Sequence, residues 1–295
     1  MAERQASAIG VREKSAAIVS LLTGALVWGV IWYPYRVLRD MGIDGVVASA
    51  ITYAVAFVLG LFFFRRSFAG IKPGWVLFWI ALASGGCNIG YVLATLDGEV
   101  VRVLLLFYLA PLWTVLLSRL LLGERLNRYG IFVVILSLGG AMTMLWELSV
   151  GLPVPQDAAD WSGLIAGFSF ASLNVLSRKA HGVSIELKAM VSFAGAAVVA
   201  LALLLAGIGI PQAPSSSSAW PLLFGVGAVL LLVNFVVQYG LVRIASNRAI
   251  VILLSEVGFA ALSSWLLADE TIGLREWLGG AMIVAASVFS AKMES

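Results

Sequence analysis

Ten apolar stretches, each long enough to cross a bilayer, follow one another along this 295-residue chain with only short connections between them. A hydrocarbon core about 30 Å thick needs about 20 apolar residues per helix, so ten spans use most of the chain. No sizeable soluble domain is left. Composition agrees: 61% of residues are hydrophobic and 12% charged, against about 45–50% and about 25% in soluble domains. The predicted spans are 16–35, 46–64, 74–96, 101–122, 128–147, 161–178, 187–208, 219–241, 247–268 and 273–291. Their apolar runs are continuous rather than alternating, which favours helices over barrel strands, the other backbone that satisfies itself in lipid. Ile71-Lys72-Pro73-Gly74, Pro211-Gln212-Ala213-Pro214 and the serines at 215–218 separate spans.

The first span follows Arg4, Arg12 and Lys14, as a signal peptide would, but it is too long and ends in Trp32-Tyr33-Pro34-Tyr35-Arg36 instead of a small-residue cleavage site. It is read as a helix. With ten spans and a cytoplasmic N-terminus, 15 Lys and Arg fall on the cytoplasmic side and 4 (Arg36, Arg39, Arg102, Arg275) on the other. The positive-inside rule then places both termini in the cytoplasm and the protein in the cytoplasmic (inner) membrane. The net charge of +3 reflects this topology. Its basic residues sit in scattered short loops and form no nucleic-acid patch. A single Cys87 allows no intrachain disulfide, and a single His181 leaves no Cys/His metal cluster. No metal or other cofactor is expected.

Leu120-Leu121-Leu122-Gly123-Glu124 at the end of the fourth span resembles Leu266-Leu267-Ala268-Asp269-Glu270 at the end of the ninth, 146 residues later. The same offset places Arg102 on Arg248, Ser118 on Ser264 and Leu121 on Leu267. An offset of half the chain implies two five-helix repeats, 1–148 and 149–295, within one membrane unit. Five is odd, so the second repeat enters the membrane from the opposite side. The fold expected is an all-α membrane protein whose ten transmembrane helices form two inverted-topology repeats. Secondary transporters are commonly built this way, with substrate held near the midplane between the repeats.

Trp28-Gly29 in the first span, Pro111 in the fourth and Gly123-Glu124-Arg125 at its end resemble the EamA-type repeat of the drug/metabolite transporter superfamily. The first half has Val133 where that pattern expects glycine, and the second half has Gly279 there but no counterpart of Pro111. The resemblance implies export of amino acids, other small metabolites or amphipathic drugs. It makes the aromatic amino acid exporter branch a plausible home.

An ionisable group deep in a span is a functional candidate by default. Glu256 lies midway along the ninth span. Two roles fit it: a carboxylate that carries a coupling proton or pairs with a substrate amine, or a protonated carboxyl bonded to a neighbouring helix. Helical spacing aligns Ser84, Asn88, Tyr91 and Thr95 on one face, Phe107, Pro111, Thr114 and Ser118 on another, and Phe170, Asn174 and Ser177 on a third. Asn234 and Gln238 stand at i,i+4, and Trp28, Trp32 and Tyr35 align in the first span. Such faces either line a cavity or bond helix to helix. The substrate-binding candidates are Trp28, Asn88, Tyr91, Phe107, Tyr108, Pro111, Asn174, Asn234, Gln238 and Glu256. Pro111 is expected to kink the fourth helix. Gly86/Gly90 and Gly163/Gly167 are small-xxx-small pairs suited to close helix approach. Trp75, Trp146, Trp161, Trp220 and Trp277 fall at span ends, as interfacial belts require. Glu124 and Arg128 stand at i,i+4, a stabilising spacing.

The function expected is secondary export of small metabolites, aromatic or amphipathic amino acids foremost, by alternating access; multidrug or nucleoside export is the alternative. No Walker A sequence occurs. A membrane-embedded lipid-processing enzyme is disfavoured, because Asp97 and Glu99, or Asp157 and Asp160, are sparse and lack His partners. The partners expected are a small-molecule substrate and the lipid bilayer. One chain suffices to close a pathway, so a monomer is expected to function.

Overall fold

The computed structural model of the chain describes residues 2–64, 74–97, 103, 106–145, 155–210, 217–267 and 273–289. All regular structure among them is helical: α1 (Ala2–Asp40), α2 (Gly45–Phe64), α3 (Trp75–Asp97), α4 (Ala110–Leu122), α5 (Arg128–Leu145), α6 (Ala158–Lys179), α7 (Ile185–Leu205), α8 (Ala219–Leu241), α9 (Ser246–Leu253), α10 (Glu256–Leu267) and α11 (Leu274–Phe289). Local chemistry sets several ends. Asp157 caps α6 by accepting from Asp160 N at 2.8 Å, and Ser184 caps α7 by accepting from Leu187 N at 3.2 Å. Helix α4 stops at Gly123, whose φ of 71° is left-handed, and Glu124 N turns back to Ser118 O at 3.2 Å.

Among the described residues six stretches are long and apolar enough to cross a membrane: Arg12–Asp40, Gly45–Phe64, Trp75–Ala94, Ile185–Leu205, Ala219–Leu241 and Ser246–Leu267. They fall on six of the ten spans read from sequence. Apolar helices at Ala110–Leu122, Arg128–Thr143 and Trp277–Ala286 are shorter. Helix α6 has the length, 22 residues, but its mean hydropathy is lowered by Ser169, Asn174 and Ser177, which it turns inward and buries. Large apolar side chains such as Phe62, Phe78, Leu205 and Leu232 cover the outside, whereas Thr52, Ser84, Ser118 and Gln238 are buried. Polar inside and apolar outside is the arrangement of a multi-pass membrane protein.

The packing maps onto itself when the halves are exchanged. Helix α3 packs on α6, and α8 on α1; α3 packs on α7, and α8 on α2; α4 packs on α6, and α10 on α1. The pairs α2/α7 and α5/α11 are their own counterparts. Three contacts join helices that run antiparallel. The Lys179 ammonium at the end of α6 lies 5.1 Å over the Trp75 ring at the start of α3, and Tyr129 OH at the start of α5 donates to Phe289 O at the end of α11, 3.2 Å away. Near the end of α1, Tyr35 OH and Thr52 Oγ1 of α2 are 2.7 Å apart.

The glycine pairs work as their spacing predicts. A methyl group at Gly86 would fall 2.7 Å from Ser169 Oγ, and one at Gly90 3.1 Å from Ser162 O, so α3 meets a small side chain of α6 at one glycine and its backbone at the other. Gly163 and Gly167 come up against the backbone of Val103 and Phe107. Trp75, Trp161, Trp220 and Trp277 are all exposed, in keeping with the interfacial reading, while Trp146 lies outside the described residues.

Candidate functional site

Two spans expected to be continuous are interrupted. In the fourth, Phe107 is helical, Tyr108 and Leu109 form a turn, and α4 begins at Ala110. In the ninth, Leu254 and Ser255 form a turn between α9 and α10. These turns are 146 residues apart, the offset of the sequence repeat. Both tighten in the same way, with Leu109 N donating to Leu106 O at 3.3 Å and Ser255 N to Ile252 O at 3.1 Å.

The expectation for Pro111 is corrected accordingly. It stands in the first turn of α4, where its missing N–H is no loss, so it opens a new helix instead of kinking a continuous one. The ninth span breaks without proline. There Ser255 Oγ donates to Ile252 O at 2.7 Å, offering that carbonyl a side-chain partner of the kind that loosens a helix ladder.

Five aromatic rings gather around these turns. Phe107 stacks edgewise on Tyr108 (centroids 5.3 Å) and Tyr91 (5.5 Å) and lies 5.6 Å from Phe170, which meets Trp28 edge-on at 6.0 Å. These residues, with Cys87 and Val257, belong to one hydrophobic cluster that draws on both halves. Glu256, the first residue of α10, is within electrostatic reach of Tyr91, Tyr108 and Cys87. Gly29 fixes its position: a methyl group there would fall 3.0 Å from Glu256 O and 2.9 Å from Ala260 N. That contact seats Trp28 of α1 beside the first turn of α10. Among the described residues no cation pairs with the Glu256 carboxyl.

The inward face of α6 continues from Phe170 through Asn174 to Ser177. Asn174 and Gln238 are each 2% exposed. Gln238 Nε2 donates to Ser177 Oγ at 3.3 Å, while Asn174 Nδ2, Asn234 Oδ1 and Gln238 Oε1 are buried without a partner among the described residues. An unpaired buried polar group costs about 1–3 kcal/mol. Three of them lie along α6 and α8 in one polar column, which Gln238 and Ser177 join.

Not every candidate joins this group. Asn88 accepts from Tyr53 OH and donates to Ser84 O at 2.8 Å, so its amide ties α2 to α3. Asn88→Ala is expected to lower stability by about 1–3 kcal/mol through the orphaned Tyr53 hydroxyl and to leave the KM for substrate unchanged. Thermal unfolding in detergent and uptake kinetics check it. The aligned aromatics of α1 also part company. Trp32 Nε1 donates to Ser263 Oγ of α10 at 2.9 Å and Tyr35 reaches α2, so only Trp28 joins the rings. Thr95, Arg102, Ser264 and Glu270 fall outside the residues whose side chains are described.

Glu124 corrects another expectation. Its partner is Arg178, at 2.7 Å from the end of α6, and not Arg128 four residues on. The sequence reading passed over Arg178, and also Phe170 as a site residue, although Phe170 stood on the same inward stripe as Asn174.

The sequence model of the EamA-like transporter family matches twice, over residues 15–146 and 158–291. An uncharacterized transporter of Archaeoglobus fulgidus is 28% identical over 255 residues, 84% of this chain and 87% of its own length. A second uncharacterized transporter, from Pseudomonas aeruginosa, is 27% identical over 175 residues, 54% of this chain and 53% of that one. A crystal structure superimposes with a TM-score of 0.75 over 95% of this chain and 99% of its own, at 19% identity. That last likeness is one of fold alone. With two matches that together cover most of its length, one in each half, the chain belongs to the EamA-like transporter family.

Proposed function

We propose that this protein is a secondary transporter that exports small amphipathic metabolites, aromatic amino acids foremost, across the cytoplasmic membrane by alternating access. Its moving parts are two inverted halves, 1–148 and 149–295, and one chain forms the whole pathway, with both termini in the cytoplasm. The observation that carries this reading is the pair of interrupted spans in matching positions of the two repeats. Broken helices free backbone carbonyls and amides at membrane depth, which is tolerated only where protein or a cavity covers them.

The side chains at the turns suit the cargo. Trp28, Tyr91, Phe107 and Tyr108 offer ring faces and edges to a flat side chain. Glu256 offers its carboxylate to an ammonium or a proton. Asn174, Asn234 and Gln238 offer amide atoms that now lack partners. The rings around an unpaired carboxylate also favour a second reading, export of amphipathic cations, which the same groups would hold by cation–π and charge contact.

Uptake of labelled amino acids into liposomes bearing the purified protein tests the proposal, with and without a pH gradient. Saturable flux, strongest for aromatic amino acids and competed by unlabelled substrate, is expected. Saturable flux of organic cations with none for amino acids selects the second reading. Absence of saturable flux for either class removes both.

A further inference from the structure

We propose that Glu124 and Arg178 are positioning residues for transport: a clasp that shuts one end of the pathway and must open in every cycle. The proposal rests on the transport reading but is tested without it. Arg178 Nε donates to Glu124 Oε1 at 2.7 Å, and Arg178 Nη1 donates to Ile244 O at 2.6 Å. The other carboxylate oxygen of Glu124 accepts from Ser246 N at 3.2 Å and Asn247 Nδ2 at 3.5 Å. Asn247 Oδ1 in turn accepts from Ser118 Oγ of α4 at 3.0 Å. Two side chains thus gather the ends of α4 and α6, the α8–α9 link and the start of α9, drawing on both halves of the chain.

This differs from an ordinary surface ion pair in what it holds. Helix α9 is buried throughout, from Ser246 to Leu253, and forms the first part of the interrupted ninth span that leads to Glu256. A carboxylate at the start of a helix and a guanidinium at the end of another are both favourably placed. Here they also fix the α9 backbone itself, through Ser246 N and Ile244 O.

The polar column of the candidate site ends at this clasp. Asn174 stands four residues before Arg178, one turn further in on α6, and is 2% exposed. On the outer side, a cleft of about 300 Å³ lined by Val115, Arg119, Arg125, Leu126 and Ile131 reaches Glu124. The clasp is itself partly exposed, Arg178 to 28% and Glu124 to 19%, while Asn174 and Gln238 are buried behind it. Freeing α9 at this point would open the column to that face and release the segment joined to Glu256.

Cysteine labelling tests this. In a Cys87→Ala background, which removes the chain's single cysteine, Asn174→Cys is treated with a membrane-impermeant maleimide in vesicles of each orientation. Labelling is expected to be slow with the clasp intact. Arg178→Ala, and Glu124→Gln as a milder variant that keeps the side-chain shape, should each speed it by about tenfold or more, the equivalent of one lost charge-assisted hydrogen bond. The rise should come from the face bearing the end of α6. The double exchange Glu124→Arg with Arg178→Glu should recover part of the protection. Unchanged labelling in the Glu124→Gln variant, or a rise only from the opposite face, overturns the clasp. Because labelling needs no substrate, a wild-type protein without flux overturns the transport reading and leaves the clasp result standing.

Discussion

Glu256→Gln is expected to cut uptake by about 10- to 100-fold, the range that a lost hydrogen bond to a charged group corresponds to, and to make the residual flux indifferent to a pH gradient. The amide keeps the size and the helix-starting position of the carboxyl but neither carries the charge nor exchanges the proton. Among the described residues, the titratable groups within electrostatic reach of Glu256 are Cys87, Tyr91 and Tyr108. None of these is a cation, so the ammonium of a substrate would be its natural counter-charge. Paired uptake measurements with and without the gradient, at matched protein incorporation, check the prediction. A variant that keeps full gradient dependence would assign the carboxyl to helix packing.

Gly167→Val is expected to be a severely damaging change away from Glu256. A side chain at this position would run into the backbone of Phe107, immediately before the first turn that interrupts a span. Overpacking a well-packed contact costs about 1–3 kcal/mol, and backbone atoms cannot yield as side-chain tips do. The expected result is a drop in Tm of several degrees, at about 2–4 °C per kcal/mol for a chain of 150–250 residues. Loss of uptake in the protein that remains folded should accompany it, because Phe107 carries the ring contacts of Tyr91, Tyr108 and Phe170. Unfolding in detergent followed by transport assay separates the two effects. Gly258→Val, at a glycine with nothing near its missing side chain, is the comparison.

Six of the ten span positions were legible because hydropathy reports lipid exposure directly, and the glycine pairs because their spacing sets a helix face. The 146-residue offset, found on a few residues around Glu124 and Glu270, proved to mark where both spans break. The breaks themselves were less legible. Pro111 reads equally as a kink or as a first-turn residue, and nothing at Leu254–Ser255 stands out in sequence from an unbroken apolar run. Partner choice was the other blind spot. Glu124 has a basic residue four positions away and another 54 positions away, and only the packing of α4 on α6 selects Arg178. Asn88 and Asn174 likewise look alike as polar residues on inward stripes, yet Tyr53 pairs with one while the other's Nδ2 has no partner among the described residues.

The interruption between α9 and α10 also bears on how the chain is made. Eight residues of α9 rise only about 12 Å, too little to span a bilayer, and a turn exposed to lipid would leave backbone groups without partners. As a single stretch, however, Ser246–Leu267 is 22 residues long and apolar enough to cross a membrane. The ninth span is therefore expected to leave the insertion machinery as one unbroken helix, its turn forming once α1, α4 and α11 have packed around α9.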